Sequence, residues 1–220
     1  MASIEWDDIE QPKKGFGSGK KTGGAGGSGK FMRLEPNSTN RVRPVLKPIR
    51  FHKYFNRHDG TLRSAITEDE ATCTVRAKYP ELRAQKRYAC LVFDRDDDNK
   101  LKILEGPATL FDHFKKFKKL AKQDPGSNNG GDFQIKVICP SGKKDRDTTY
   151  DVEFIETVPF TDEEKKFVLD NKESYDLDEI FKAQTPEEIE RILFGDGQRG
   201  DSAAVAASSS TAEANDPFKF

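Results

Sequence analysis

Long apolar runs are missing from this sequence. No stretch approaches the roughly 18 apolar residues that a membrane-spanning helix needs, so an integral helical membrane protein is excluded. Cysteine is scarce: the three residues Cys73, Cys90 and Cys139 are odd in number and far apart. That argues against a disulfide-stapled scaffold and for free thiols in a reducing compartment. No C-x-x-C pair is present to seed a structural zinc site, and no G-x-S-x-G elbow to carry a nucleophile. The opening MASIEWDDIEQ is acidic and has no apolar h-region, which argues against a secretory signal. Apolar residues (34%) and charged residues (34%) are equally abundant, so the core must occupy part of the chain, with polar tails around it.

Net charge is also nearly missing, at −1, but it is unevenly spread. Residues 1–10 hold four acids and no base. Residues 11–160 hold 30 Lys/Arg against 19 Asp/Glu, and residues 161–220 hold 7 against 15. A basic middle between acidic ends points to a polyanionic partner, with the acidic end as competitor or docking element.

Residues 12–30 carry eight glycines and five lysines and read as a flexible basic arm. GSGKKTG approaches a phosphate-binding loop, but Lys21 stands where Ser or Thr would hold magnesium, and neither strand nor helix flanks it. From 41 to 156 short apolar runs alternate with turn residues. VRPVLKPIRFHKYF and ATCTVRAKY read as strands; KRYACLVFD, RDDDN and KLKILEG as a hairpin; GGDFQIKVIC and TTYDVEFIET as a second pair. Between the pairs, PATLFDHFKKFKKLAKQ places Leu110, Phe114, Phe117 and Ala121 on one helical face and its lysines towards the other. The order strand, strand, strand, strand, helix, strand, strand suits a mainly β fold with helices (α+β), an OB-fold barrel. An SH3-like barrel and an open sheet are the structural rivals. Thr161 with Glu164 and Thr185 with Pro186 and Glu188 form capping boxes that open helices, and Gly195 closes the last one. Phe167, Leu169, Tyr175, Leu177, Ile180 and Phe181 are expected to pack this segment on the barrel. The predicted units are an N-terminal arm (1–30), a core (31–160), a helical extension (161–195) and a disordered acidic tail (196–220).

Catalytic chemistry finds little support. His52, His58 and His113 lack a nucleophile motif, and no enzyme activity is expected. Asp94, Asp96, Asp97 and Asp98 could hold a divalent ion, as a nuclease would require. They lack the glycine and closing glutamate of a calcium loop and read as an acidic turn. His52, His58, Cys73 and Cys90 could supply zinc ligands but come at wide, unpaired spacing, so no cofactor is expected.

Single-stranded nucleic acid asks for a basic groove along the backbone and flat rings for the bases. That combination recurs. Arg50, Lys53 and Arg57 surround Phe51, Tyr54 and Phe55; Arg76, Lys78, Arg83, Lys86 and Arg87 surround Tyr79 and Tyr88; Lys115 and Lys116 lie in FDHFKKFKK. In RFHKYF, Phe51, Lys53 and Phe55 share one face and His52 and Tyr54 the other, so alternation leaves open which face is wet. Tyr54, Tyr79 and Tyr88 suit wet platforms because their hydroxyls tolerate water. Nothing resembles a sequence-reading helix or zinc finger.

The chain's last residues, ANDPFKF, place Asp216, Pro217, Phe218 and Phe220 after an acidic, small-residue run. Such a peptide is suited to capture by an apolar pocket with a basic rim. Together with GKFMRLEPNSTNRVRPVLKPIRFHKYF, YACLVFDRDDDNKLKILEGPATLFDHF, GGDFQIKVICPSGKKDRDTTYDV and PFTDEEK, this tail gives the chain its likeness. It resembles phage single-stranded DNA-binding proteins of the T-even helix-destabilising type, and bacterial single-strand binding proteins similarly end an acidic tail in Pro-Phe. The resemblance implies an OB barrel coating single-stranded DNA in phage replication, recombination and repair, in the cytoplasm of a bacterial host. It further implies that Lys13, Lys14, Lys20, Lys21 and Lys30 mediate contact between neighbours along DNA and that the tail recruits replication and recombination proteins. Relatives often carry a zinc subdomain with a C-x-x-C pair; here only Cys73 remains in that region, and a metal-free insertion is expected. The rival from another class is a replisome or recombination scaffold, or an annealing protein, that binds acidic protein partners.

Overall fold

The computed structural model describes residues 3–10, 29–58, 60–68, 73–144 and 147–195. The arm residues Lys13, Lys14, Lys20 and Lys21 and the tail residues Asp216, Pro217, Phe218 and Phe220 lie outside the described residues. Among the described residues no helix is long and apolar enough to cross a membrane.

The spine is a 20-residue strand, β1 (Thr39–His58). It turns through Gly60, whose φ of +75° suits glycine, into β2 (Thr61–Thr67). A short helix, α1 (Thr74–Lys78), leads to β3 (Gln85–Asp94) and β4 (Lys100–Pro107). Then follow α2 (Ala108–Ala121), β5 (Gly131–Ile138) and β6 (Thr149–Thr157). Three helices finish the described chain: α3 (Asp162–Asp170), α4 (Leu177–Ile180) and α5 (Pro186–Phe194). The fold is mixed α/β around one open six-stranded antiparallel sheet, order β4-β3-β1-β5-β6, with β2 paired to β1.

One edge of β1 carries β3 from Val42 to Lys53. Its other edge carries β5 at Thr39–Val42, a bridge to Ser3 at Ile49, and β2 from His52 to His58. The shift of register between Val45 and Ile49 is a bulge. Pro48 has no N–H to give the ladder, Leu46 sits at φ +60°, and the Pro48 carbonyl accepts from Ile4 N at 2.8 Å. The outer edge of β4 is taken by the segment before β1: Met32 N donates to Ile103 O at 2.9 Å and Ile103 N to Lys30 O at 2.7 Å.

Alternation along these strands builds two apolar faces. One gathers Val42, Tyr88, Cys90, Val92, Leu104, Phe133, Ile135 and Val137 under α2, with Leu110, Phe111 and Phe114 buried. Trp6 joins them, 5.5 Å from the Phe114 ring. The other gathers Val45, Ile49, Phe51, Ala89, Leu91, Phe93, Leu101 and Ile103 under the C-terminal helices, with Phe181 4.4 Å from Phe51. Both predicted capping boxes form. Of the residues expected to pack this extension, Tyr175, Leu177, Ile180 and Phe181 do so. Phe167 and Leu169 are exposed, and Val168 makes the contact instead.

One local expectation is corrected. ATCTVRAKY was read as a strand, yet Thr74–Lys78 is helical; the second strand is TLRSAIT at 61–67. The helix wins because Val75 buries beside Ile189 and Leu193 of α5, more than a hundred residues away in sequence.

Candidate nucleic-acid interface

Beyond Phe51, β1 emerges from under the C-terminal helices, and its odd-numbered side is Lys53, Phe55 and Arg57. Opposite stand Ile66, Ser64 and Leu62 of β2 and, across from Lys53 and Phe51, Gln85 and Arg87 of β3. Phe55 is half-buried, with Lys53 Nζ 5.8 Å and the Arg87 guanidinium 5.9 Å from its ring centre. Both cations bind Glu105 of β4, at 3.0 Å and 3.3 Å. One carboxylate thus orients two cations beside one ring and leaves the trio with a single net positive charge, to which exposed Arg57 adds another. The Arg87 charge also lowers the pKa of Lys144 and of Tyr150, each of which is governed first by burial. Burial pushes the Lys144 ammonium down and the Tyr150 phenol up.

The even-numbered side of the same strands is covered. Tyr88 is buried against Phe111, its hydroxyl accepting from Glu10 N at 3.1 Å. Burial raises its pKa, with the Glu10 charge acting in the same direction. Arg50 binds Glu10 at 3.2 Å and Lys86 binds it on the other oxygen. Lys47 binds Glu5, and Lys115 donates to the Ile9 carbonyl. Lys118 contacts Asp124 at 2.9 Å, Asp7 at 3.1 Å and Glu5 at 3.5 Å. Desolvation opposes the Lys118 charge, but hydrogen bonds from Asp124 and Asp7 outweigh it and hold the ammonium above its ordinary value. The lysines of α2 were expected to face phosphate; two of them instead hold the acidic segment Ser3–Glu10 on the body.

The remaining predicted residues form a corner against α5. Tyr54 is buried with Ala65, Val75, Leu82, Ile189 and Leu193. Tyr79 stacks on Phe194 at 4.2 Å, with Lys78 over its ring at 5.3 Å and bound to Glu190. Arg76 is half-buried on α1 and Arg83 exposed after it. Lys116 is exposed on α2, 3.0 Å from Asp112. Tyr54 and Tyr88 were read as wet platforms on their hydroxyls; their rings are fully enclosed and present no face to a base.

The acidic turn is satisfied from within. Asp94 and Asp97 bind Lys102 at 2.8 Å and 2.6 Å, Lys100 binds Asp97, and Asp96 accepts from Arg41 N at 2.7 Å. Asp98 and Asn99 turn the chain at φ +49° and +55°. No group of three or more His, Cys, Asp or Glu poised for a metal occurs among the described residues. Cys90 is buried, which pushes its thiol up and leaves it inert. A cleft of about 800 Å³ lies between the sheet at Val45, Ile49 and Leu91 and the helices at Val168, Tyr175 and Leu177. Asp124, Glu173, Asp176 and Asp178 on its lining outnumber Lys47 and Lys172, so it does not suit phosphate.

Sequence reasoning passed over several residues. Arg43 is buried, its guanidinium 4.0 Å over Phe160 and donating to the carbonyls of Pro125, Ser127 and Val158. Burial lowers its pKa to about 10. Buried Asp132 accepts from Arg41 and Arg95, and Arg95 reaches Glu164, the capping residue of α3. A signal for Asp132 existed in GGDFQIKV, where an acid interrupts a strand start; none existed for Glu105 as the organiser of Lys53 and Arg87. No protein-family model matches the chain, and no curated protein matches it in sequence.

Proposed function

We propose that this chain is a non-enzymatic single-stranded DNA-binding protein that coats unpaired strands largely without sequence preference, in phage replication, recombination and repair. The carrying observation is the side of β1 and β3 where half-buried Phe55 has Lys53 and Arg87, both largely buried on Glu105, 5.8 Å and 5.9 Å from its ring centre, with exposed Arg57 on the same side of β1. A ring with cations at its rim is what base stacking plus phosphate contact requires. Tyr79 is the other candidate platform, with Arg76, Lys78 and Arg83 around it. The strand order β4-β3-β1-β5-β6, with α2 between β4 and β5, supports an OB-like plan: it is the order of an OB barrel opened between its third and fifth strands, with β2 as an addition. The tail residues Asp216, Pro217, Phe218 and Phe220 would recruit replication and recombination proteins, and the arm would support self-association along DNA.

The test is a titration with single-stranded DNA, single-stranded RNA and duplex at two salt concentrations, repeated with Phe55→Ala. Loss of about 1–3 kcal/mol for the single strand is expected from one stacked base. An unchanged affinity would remove Phe55 from the site. A scaffold for acidic proteins would ignore oligo-dT altogether.

A further inference from the structure

Residues Ser3–Glu10 form an acidic segment held on the body in two ways. Trp6 and Ile9 are wholly buried, Trp6 among Phe111 and Phe114. The carboxylates around these anchors stand on cations: Glu5 on Lys47 and Lys118, Asp7 on Lys118, Glu10 on Arg50 and Lys86. Those cations come from three elements, β1, β3 and α2. They remain partly open to solvent, from 20% for Lys118 to 48% for Lys47. Three side-chain carboxylates thus occupy the places that a row of backbone phosphates would take.

We propose that this strip of Lys47, Arg50, Lys86 and Lys118 is a second phosphate-binding surface for unpaired polynucleotide, kept in reserve by the chain's own acidic segment. The proposal rests on the single-strand reading above and adds a site on the opposite side of β1 and β3 from Phe55. Partly exposed ion pairs hold weakly, so incoming phosphates exchange with Glu5, Asp7 and Glu10 at little cost. The two anchors are not equivalent to those carboxylates. Trp6 and Ile9 stay seated in the apolar cluster and Glu10 N stays on the Tyr88 hydroxyl, while the Glu10 carboxylate peels from Arg50 and Lys86. The indole Nε1 of Trp6 finds no hydrogen-bond partner among the described residues, which makes even this anchor less than fully satisfied. Glu10 is followed directly by the lysine-rich arm.

The experiment uses the full chain and fluorescent oligo-dT. The variant Glu5→Gln, Asp7→Asn, Glu10→Gln removes the competing charge and keeps Trp6 and Ile9. A second variant, Asp151→Asn, Glu153→Gln, Glu163→Gln, removes the same charge from half-buried Asp151 and exposed Glu153 and Glu163, on β6 and α3 rather than on the strip. The first is expected to bind about tenfold tighter at low salt, with the slope of log K against log salt steeper by about 2, because roughly three further cations meet phosphate while Lys118 keeps Asp124. The second is expected to gain less than about twofold. Equal gains in the two variants, or no gain in the first, would overturn the reserve strip. Glu10→Gln alone frees Arg50 and Lys86 and should give an intermediate gain. If it equals wild type while the triple variant gains, peeling from Glu10 is overturned. Should Phe55→Ala abolish binding while the first variant matches wild type, the single-strand reading stands and the strip falls. Should wild type ignore oligo-dT while the first variant binds it, the strip stands and the Phe55 face falls.

Discussion

Lys86 and Arg87 are neighbours in sequence and opposites in the fold. On β3 they point to different sides, so Lys86 meets Glu10 from 76 residues away and Arg87 meets Glu105 from 18 away. The first side is packed under Trp6, Ile9 and α2, with its cations partly exposed; the second holds half-buried Phe55 beside Lys53 and Arg87, which are largely buried on Glu105. The two sides carry similar charge and different partners. The two sides differ in where the paired acid comes from: Glu105 sits within the sheet, whereas Glu5, Asp7 and Glu10 arrive on a separate segment.

The largest effect that bears on this contrast is on stability. Trp6→Ala should destabilise by about 3–5 kcal/mol, as loss of a large buried ring does, read by urea unfolding. An effect below about 1 kcal/mol would mean that the segment is an ornament on the packed side. Next comes Phe55→Ala, with its loss of about 1–3 kcal/mol in oligo-dT binding and little change in unfolding midpoint. Tyr88→Phe should show the reverse: about 1 kcal/mol less stable through the lost acceptor for Glu10 N, with oligo-dT affinity unchanged. If Tyr88→Phe weakens binding and Phe55→Ala does not, the roles of the two sides have been exchanged.

A smaller effect is expected from pH. The hydrogen bond from Lys47 holds the Glu5 carboxyl below its ordinary value of 4.5; slight burial opposes this and the Lys118 charge adds to it. A carboxyl depressed in the folded state stabilises above its unfolded pKa, and that contribution disappears as pH falls through the folded value. The Glu5 share of the segment's grip is therefore complete above pH 4.5 and is lost as pH falls through the depressed folded value. Trp6 is the chain's single tryptophan, so its emission reports the segment directly. It should shift to the red on acidification, and Glu5→Gln should remove part of that transition; identical curves would contradict the contact. Smallest of all, Lys116→Ala breaks an exposed i,i+4 pair with Asp112 and should cost under about 0.5 kcal/mol.

Local signals were readable before any coordinates. The capping boxes at Thr161 and Thr185, the apolar stripe of α2 and both hairpins rest on residues within a few positions of one another. What could not be read depends on distant partners. Tyr54 looks wet in RFHKYF until Ile189 and Leu193 cover it. Thr74–Lys78 looks extended until the same helix gives Val75 a place to bury. The lysines of α2 look free until Glu5, Asp7 and the Ile9 carbonyl meet them. Alternation in β1 gave two faces, and only the helices packed on them decide which residues each leaves exposed.

The most direct measurement is a paired titration of the full chain with oligo-dT and with duplex DNA of equal length, at about 50 and 200 mM salt. The proposed function requires tighter binding to the single strand at both salts, with a residual preference at the higher salt that Phe55→Ala reduces. Equal, weak binding to both forms that salt abolishes completely would contradict it.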